Sequence, residues 1–448
     1  MPPTWAQDAF FYHIYPLGLC GAPRSNDFQS APVPRLDALY PWLDHIQGLG
    51  ANALYLGPLF ESGTHGYDTA DYYHVDRRLG ERATLAAFSR EVHRRGMRLV
   101  LDGVFNHVGR AFWAFRDLQA NKSASPYTGW FEGLDFSRRS PLGDPFTYQT
   151  WGGHYSLVKL NLANPEVRQH LFEALRMWVE EFEIDGLRLD AADELSEDFL
   201  PELARRSQSL SSDFWLMGEI VHGDYRRLAG PGRLDSVTNY ELYKALYSSH
   251  NERNYFELAH ALNRQFGPQG IYRGLDLYTF ADNHDVDRAA SILTDPSQLY
   301  PLTCLLLSMP GIPSIYYGSE WGVAGKRGPT SDEALRPRLE LAARGPHPNL
   351  AWDIARLAAL RRELPALRAG GYRPLHVAAQ QLAFLREHPA GSVLVAVNAA
   401  PAPLRLELDA PLPDGPLYDR LNPGAVCEVR GGRVGIDLPP RWARILTP

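Results

Sequence analysis

Cysteine is scarce in this 448-residue chain: Cys20, Cys304 and Cys427 lie far apart and match no metal-ligand or disulfide spacing. Such usage excludes a disulfide scaffold and suits a reducing compartment, so a cytoplasmic location is expected. Long apolar runs are missing as well. No stretch reaches the roughly 18 residues that a membrane-spanning helix needs. The opening MPPTWAQDAFFYHIYPLG has no basic segment followed by an unbroken apolar run, so no secretory leader is expected. Positive charge is not in excess either. A net charge of -7, spread along the chain, argues against a nucleic-acid binder, which needs a basic face. Neither internal repeats nor low-complexity tracts interrupt the sequence.

What is present is an ordinary globular composition, 45% hydrophobic and 22% charged, long enough for one large domain and a smaller one. Short apolar segments alternate with amphipathic ones from about residue 10 to 370. Strand-like segments are 10–15, 53–60, 98–105, 186–190, 215–220, 236–240, 278–282 and 312–317. Helical patterns occupy 36–49 and 84–95. A third helix starts at Asn164-Pro165, an N-cap followed by proline at the first helical position, and places Val167, Leu171, Leu175, Trp178, Val179 and Phe182 at helical spacing. About eight strands separated mostly by helices predict an α/β fold, a (β/α)8 TIM barrel; a doubly wound sheet shares the alternation. A stretch rich in Gly, Pro, Ser and aromatics, 108–162, reads as an inserted domain after the third strand. Its Trp130, Phe146, Tyr148, Trp151 and Tyr155 are candidates for sugar platforms or for its own small core. The barrel would then comprise 1–107 and 163–370. From 371 to 448 short alternating segments with turn signals predict an antiparallel β domain.

Four segments join an apolar run to polar residues at its C-terminal end: RLVLDGVFNH, GLRLDAADE, WLMGEI and YTFADNHDVDR. In a barrel such ends converge on one mouth, where active sites sit. They would pool Asp102, His107, Arg188, Asp190, Glu219, His284 and Asp285. A single Asp at a strand end is more often a helix cap or an ion-pair partner. Four such ends on successive strands are harder to explain that way, and so many carboxylates in one place must pair or shift their pKa values.

In order and separation these segments resemble the four signature regions of the α-amylase superfamily, glycoside hydrolase family 13. The resemblance implies that Asp190 is the nucleophile, Glu219 the general acid/base and Asp285 the carboxylate that stabilises the distorted transition state. It makes Tyr67 a ring stacked on the sugar being cleaved, His107 and His284 hydrogen-bond partners of its hydroxyls, and Arg288 a holder of the next sugar. Arg188 is expected to keep Asp190 ionised, while Glu219 starts protonated. Asp102 is expected to pair with Arg188 in a structural role. LVKLN and DAADE are similar to the MPKLN and DVANE motifs of the neopullulanase and cyclomaltodextrinase branch, with Val158 in place of the proline. Asp193 and Glu194 then fall on the leaving-group side, suited to acceptor-sugar binding. Asn106 matches one ligand of the usual calcium site but the rest of that set is not found, so neither an obligatory metal nor a cofactor is expected.

The resemblance therefore implies retaining hydrolysis of α-1,4-glucosidic bonds in small linear or cyclic maltooligosaccharides. A transglycosylase or isomerase would use the same carboxylates, and a catalytically dead sugar-binding protein would be expected to have lost some of them. The expected partner is an α-glucan oligosaccharide, without nucleic acid or membrane. Because the chain enters the barrel almost at once, the dimer of that branch is not carried over. Oligomeric state stays open, with a homodimer one option.

Overall fold

The computed structural model describes residues 3–329 and 331–448. Eight short strands, β1 (Phe11–Ile14), β2 (Ala53–Leu56), β3 (Arg98–Gly103), β4 (Gly186–Leu189), β5 (Trp215–Gly218), β6 (Ser236–Val237), β7 (Tyr278–Phe280) and β8 (Ile312–Tyr316), form one parallel sheet. Their order is β6-β5-β4-β3-β2-β1-β8-β7. A parallel bridge between Thr238 and Tyr278 closes the circle, with the Asn239 amide donating to the Tyr278 carbonyl at 2.9 Å. Closure selects the barrel over the doubly wound sheet.

Both faces of these strands are covered, which explains their unbroken apolar runs. Phe11, Tyr55, Val100, Trp215, Met217, Tyr278, Phe280 and Ile312 form one cluster. Tyr12, Ile14, Leu54, Leu56, Leu99, Leu101, Leu187, Leu189 and Ile315, their neighbours along the strands, belong to another, larger one. The period of two along the strands separates the barrel's interior from the layer under its helices. The interior is an aromatic stack: the Phe11 ring lies over Trp215 at 5.1 Å and meets the edge of Tyr278 at 5.4 Å.

The helix Pro165–Phe182 begins as its sequence demands, with the Asn164 side chain accepting from the Glu166 amide at 2.8 Å. Its Trp178 stacks on Phe60 at 4.0 Å and donates to the Tyr72 carbonyl. Two expected elements are divided. The helix expected over 36–49 is a 3-10 segment, Arg35–Leu39, followed by an α-helix, Tyr40–Gly48. Pro41 lacks the amide hydrogen a helix interior requires, so the α-helix starts with proline in its first turn. The strand expected over 53–60 stops at Leu56, before Gly57-Pro58, and Phe60 opens a separate hairpin, Phe60–Ser62 with Thr69–Val75.

After β3 the chain leaves the barrel as a hairpin, His107–Gly109 paired with Leu157–Lys159, enclosing a helix, Trp113–Asn121. Trp130, Phe146 and Tyr148 are buried there and Tyr155 packs against them; of the five aromatic candidates only Trp151 faces the mouth of the barrel. The last part of the chain is an eight-stranded antiparallel sheet: β9 (Gly371–Val377), β10 (Gln381–Glu387), β11 (Val393–Asn398), β12 (Leu404–Asp409), β13 (Gly415–Asp419), β14 (Val426–Arg430), β15 (Arg433–Leu438) and β16 (Trp442–Thr447). It has a core of its own around Leu385, Leu394, Leu417, Ile436 and Leu446.

One buried arginine joins this sheet to the barrel, and a second braces the barrel side of the junction. Arg386 on β10 donates to the carbonyls of Ser308, Leu367 and Gly370. Arg361, on the helix Pro348–Glu363, donates to those of Leu307, Gly311 and Leu367. Several of these acceptors end helices and have no intrahelical donor, so the guanidinium groups satisfy carbonyls that packing has removed from water. Burial pushes the Arg361 and Arg386 groups down to about 10 and about 9, which leaves both charged at neutral pH. Replacement of Arg386 by Met would orphan the carbonyls of Ser308 and Gly370, while that of Leu367 keeps Arg361. It should lower stability by about 3 kcal/mol, read as a shift in the urea unfolding midpoint; a loss near zero would show that the junction does not depend on it.

Candidate functional site

The C-terminal ends of the strands open into a cleft of about 1360 Å³. At its floor lies Arg188, the third residue of β4, whose side chain is 3% exposed. Its Nη1 lies 2.9 Å from both Asp102 Oδ1 and Asp190 Oδ1, and its Nη2 lies 2.7 Å from Glu219 Oε2. Burial works against its charge, but Asp102 and Glu219 outweigh that penalty and hold the guanidinium firmly protonated. Tyr55 and Tyr67 donate their hydroxyls to Asp102 Oδ2 at 2.8 and 3.0 Å. Asp102 therefore faces the arginine and two tyrosines, in a supporting position.

The residues beyond the strand ends carry the rest. Asp190 directly follows β4, and its amide donates to the Gly103 carbonyl at 3.1 Å. Ala191 then adopts a left-handed conformation, φ 45°. That conformation costs a non-glycine residue roughly 1 kcal/mol, and here it brings the Ala191 amide to 3.3 Å from Glu219 Oε2. Glu219 follows β5, and Tyr240 donates to its Oε1 at 3.2 Å while accepting from Asn283 Nδ2 at 3.1 Å. Asp285 sits across the cleft. His284 Nε2 is 2.9 Å from its Oδ2, and Arg336 Nη2 is 2.9 Å from its Oδ1. The Tyr67 ring stacks on His284, and its hydroxyl bonds to His284 Nε2.

Three carboxylates share one guanidinium, and the charge balance follows from that. Burial pushes Asp190 well above the usual carboxylate range; Arg188 pulls it down, while Glu219, Asp102 and Asp285 push it further up. Arg188 lowers the Asp190 pKa, as expected, but one cation divided among three anions does not offset the loss of water. Asp285 behaves oppositely. Burial raises it, but His284, Arg336 and Arg188 prevail and hold it well below the usual range. His107 is pushed down to about 3 by burial and is neutral; its Nε2 has no partner and lies 3.8 Å from Asp190 Oδ2. Asp193, exposed on the Glu219 side of the cleft, is raised by partial loss of water there. Glu194 is beside it, 3.3 Å from Lys159 Nζ.

Of the ten expected site residues, nine gather at or just beneath the cleft: Tyr67, His107, Arg188, Asp190, Asp193, Glu194, Glu219, His284 and Asp285. Arg288 does not. It is 0% exposed, donates to the Tyr317 carbonyl at 2.7 Å and lies over the Tyr316 ring at 4.2 Å. The backbone turns away after Asp285, where the Arg288 amide donates to the Gly325 carbonyl, so the side chain enters the wall behind the site. Arg336 is the arginine that reaches Asp285. It leans on the Tyr15 ring at 4.7 Å, and neither residue stood out in the sequence. The signal was topological, since the loop after every barrel strand reaches the same mouth. Asn106 is buried with its Nδ2 3.2 Å from His107 Nδ1, and among the described residues no group of three or more His, Cys, Asp or Glu could hold a metal.

Residues 34–358 match the model of the α-amylase catalytic domain. The chain belongs to the α-amylase family. It is thus a glycoside hydrolase of that family. It is 31% identical to a cyclomaltodextrinase of Bacillus sp. over 93% of this chain and 77% of that one, and 32% identical to neopullulanase 2 of Thermoactinomyces vulgaris over 99% and 78%. A solved cyclic α-maltosyl-(1→6)-maltose hydrolase from Arthrobacter globiformis superposes with a TM-score of 0.83 at 29% identity, covering all of both chains. No helix among the described residues is long and apolar enough to cross a membrane.

The placement of Arg288 has a direct test. Arg288→Met should cost about 3 kcal/mol of stability through its buried carbonyl and ring contacts, while KM for maltotetraose in the folded fraction stays within about twofold. A stable variant with a strongly raised KM would return Arg288 to the sugar.

Proposed function

We propose that this α-amylase family member is a retaining hydrolase of α-1,4-glucosidic bonds in short maltooligosaccharides, linear or cyclic. The observation that carries this reading is the single guanidinium of Arg188 shared by Asp190 and Glu219. It ties the two carboxylates within a few ångströms of each other, which suits the separation of about 5–5.5 Å used by retaining enzymes, where inverting ones need room for an intervening water.

In the first step Asp190 attacks the anomeric carbon while Glu219 gives its proton to the departing glycosidic oxygen, releasing the reducing-end fragment. In the second, Glu219 takes a proton from water, whose oxygen displaces Asp190 from the anomeric carbon. As Asp190 forms the ester and the proton leaves Glu219, the negative charge passes from Asp190 to Glu219, and Arg188, 2.9 and 2.7 Å from the two, keeps it paired throughout. Asp285, fixed by His284 and Arg336, presents a firmly ionised carboxylate to the positive charge that develops on the sugar ring. Neutral His107 and the His284–Tyr67 pair would bind its hydroxyls. Trp151, 36% exposed beside His107, offers an aromatic platform on the leaving-group side, along with Asp193 and Glu194. The names of the relatives support small linear or ring substrates, and the unpaired Cys20, Cys304 and Cys427 support a cytoplasmic setting.

Because both carboxylates work as a unit, Asp190→Asn and Glu219→Gln should each lower kcat on maltotetraose or β-cyclodextrin by roughly 10³-fold or more. A variant retaining over about a tenth of wild-type turnover, or initial release of the β-anomer by proton NMR, would overturn the assignment. The nucleophile must be ionised, so activity is lost as pH falls through its raised pKa. The acid limb of kcat/KM should therefore lie above the ordinary Asp value of about 4. A limb at or below that value would show that Asp190 is not the group whose ionisation matters.

A further inference from the structure

The two ends of the cleft are built differently. On the Glu219 side it is bordered by Trp151, His154, Asp193, Glu194 and Val221. On the Asp285 side, the segment 18–24 meets the loop that follows β8. Gly18 lies so close that a Cβ there would stand 2.2 Å from the Arg336 carbonyl oxygen. Gly21 has φ +62°, and a Cβ would meet Arg338 Cδ at 2.8 Å. Further out, Arg24 forms an ion pair with Glu333, and both residues line the cleft.

Each partner is anchored from behind. Arg78, paired with Asp76 and buried, donates to the carbonyls of Pro23, Arg24 and Thr64. The Tyr316 and Tyr317 hydroxyls hold the carbonyls of Leu335 and Pro337, and Arg336 Nε holds that of His284. Two backbones brought together through glycines and fixed on both sides form a wall, and the Arg24–Glu333 pair spans its outer edge.

We propose that this wall, latched by Arg24 and Glu333, closes the glycone end of the cleft and sets the enzyme to count a short, fixed number of glucose units from a chain's non-reducing end. The inference rests on the roles proposed for Asp190 and Glu219. Glu219 protonates the leaving oxygen, so the leaving fragment extends past Trp151 and Val221, and the glycone must extend past Asp285 toward Arg24. Chain ends and small rings fit such a site, whereas the interior of a long glucan needs an opening there. The latch side chains are 79% and 53% exposed. An ion pair so open contributes little to folding, so it can be removed without unfolding the wall.

The test is product analysis on maltoheptaose labelled at its reducing end, for wild type, Arg24→Ala, Glu333→Ala and the charge-exchanged double variant Arg24→Glu/Glu333→Arg. Wild type should give one dominant cut. The alanine variants should scatter their cuts and raise the rate on soluble starch relative to maltotriose by roughly threefold to tenfold. The exchanged pair should restore the single cut, with maltotriose turnover little changed throughout. An active wild type with scattered cuts, or alanine variants with the wild-type pattern, would overturn the latch while leaving the hydrolase reading intact. A wild type that cleaves none of these glucans would remove that reading and this one together.

Discussion

A guanidinium buried at the end of the barrel interior governs what surrounds it. Arg188 points up from β4 with three carboxylates around it, and none of the four groups is tolerable there alone. An unpaired arginine or aspartate at that depth would cost several kcal/mol. Together they form a cluster in which every charge has a partner within 2.9 Å. The barrel makes this arrangement available, because adjacent strands β3, β4 and β5 bring Asp102, Arg188 with Asp190, and Glu219 to one level without a long loop.

The cluster in turn needs a rigid base. Below it the interior is filled by His13 stacked on Tyr55 at 4.2 Å, and lower still by Phe11, Trp215 and Tyr278. Tyr55 links the two levels: its ring belongs to the packed interior and its hydroxyl to Asp102. Stacked rings have few alternative arrangements. The position of the Asp102 carboxylate, and through it that of Arg188, is therefore inherited from apolar packing. The same economy explains the excess of negative charge. Burial raises the Asp190 pKa, and one cation among three anions does not bring it back down. Asp285, with Arg336 and His284 each 2.9 Å from its carboxylate, is compensated and stays ionised. Two aspartates in one cleft thus acquire opposite electrostatic characters from their neighbours alone.

What could be read from the sequence follows the same division. The strands were legible because β-strands covered on both faces leave unbroken apolar runs, and the polar residues closing those runs were legible because they interrupt them. Asp102, Arg188, Asp190 and Glu219 all lie within two residues of such an edge. Asp285 and His284 stand further from β7 and were legible only as part of a longer motif. Arg288, three residues on, shows where this kind of reading fails: spacing along a chain says little once the backbone turns, and a hydrogen bond to Gly325 sends its side chain into the wall. Arg336 and Tyr240 were illegible for a related reason. Arg336 reaches the site from a loop with no apolar run beside it, and Tyr240 closes the expected strand 236–240 but opens a helix instead; only the closed barrel brings either into place. The β domain was legible as an antiparallel class, while strands such as Gly415–Asp419 and Val426–Arg430 owe their pairing to neighbours already in the sheet.

The two ends of the cleft extend this reasoning from chemistry to selectivity. The carboxylate cluster depends on packed interior and strand ends, so it has little freedom to vary without loss of the barrel. The walls are made of loops whose contacts with the cluster are few. On the Asp285 side, where Arg327 Nη2 also lies 4.0 Å from Asp285 Oδ1, the shortest link from the wall to the reacting centre is Arg336, which serves both. It compensates Asp285, and its carbonyl oxygen is the atom that Gly18 must clear. A change that moved the loop after β8 to open the cleft would therefore withdraw the cation that keeps Asp285 ionised. The exposed Arg24–Glu333 pair lies beyond that link. It is the part of the wall that can change while the electrostatics of the centre stay fixed, which is where a chain under pressure to alter its product length has room to do so.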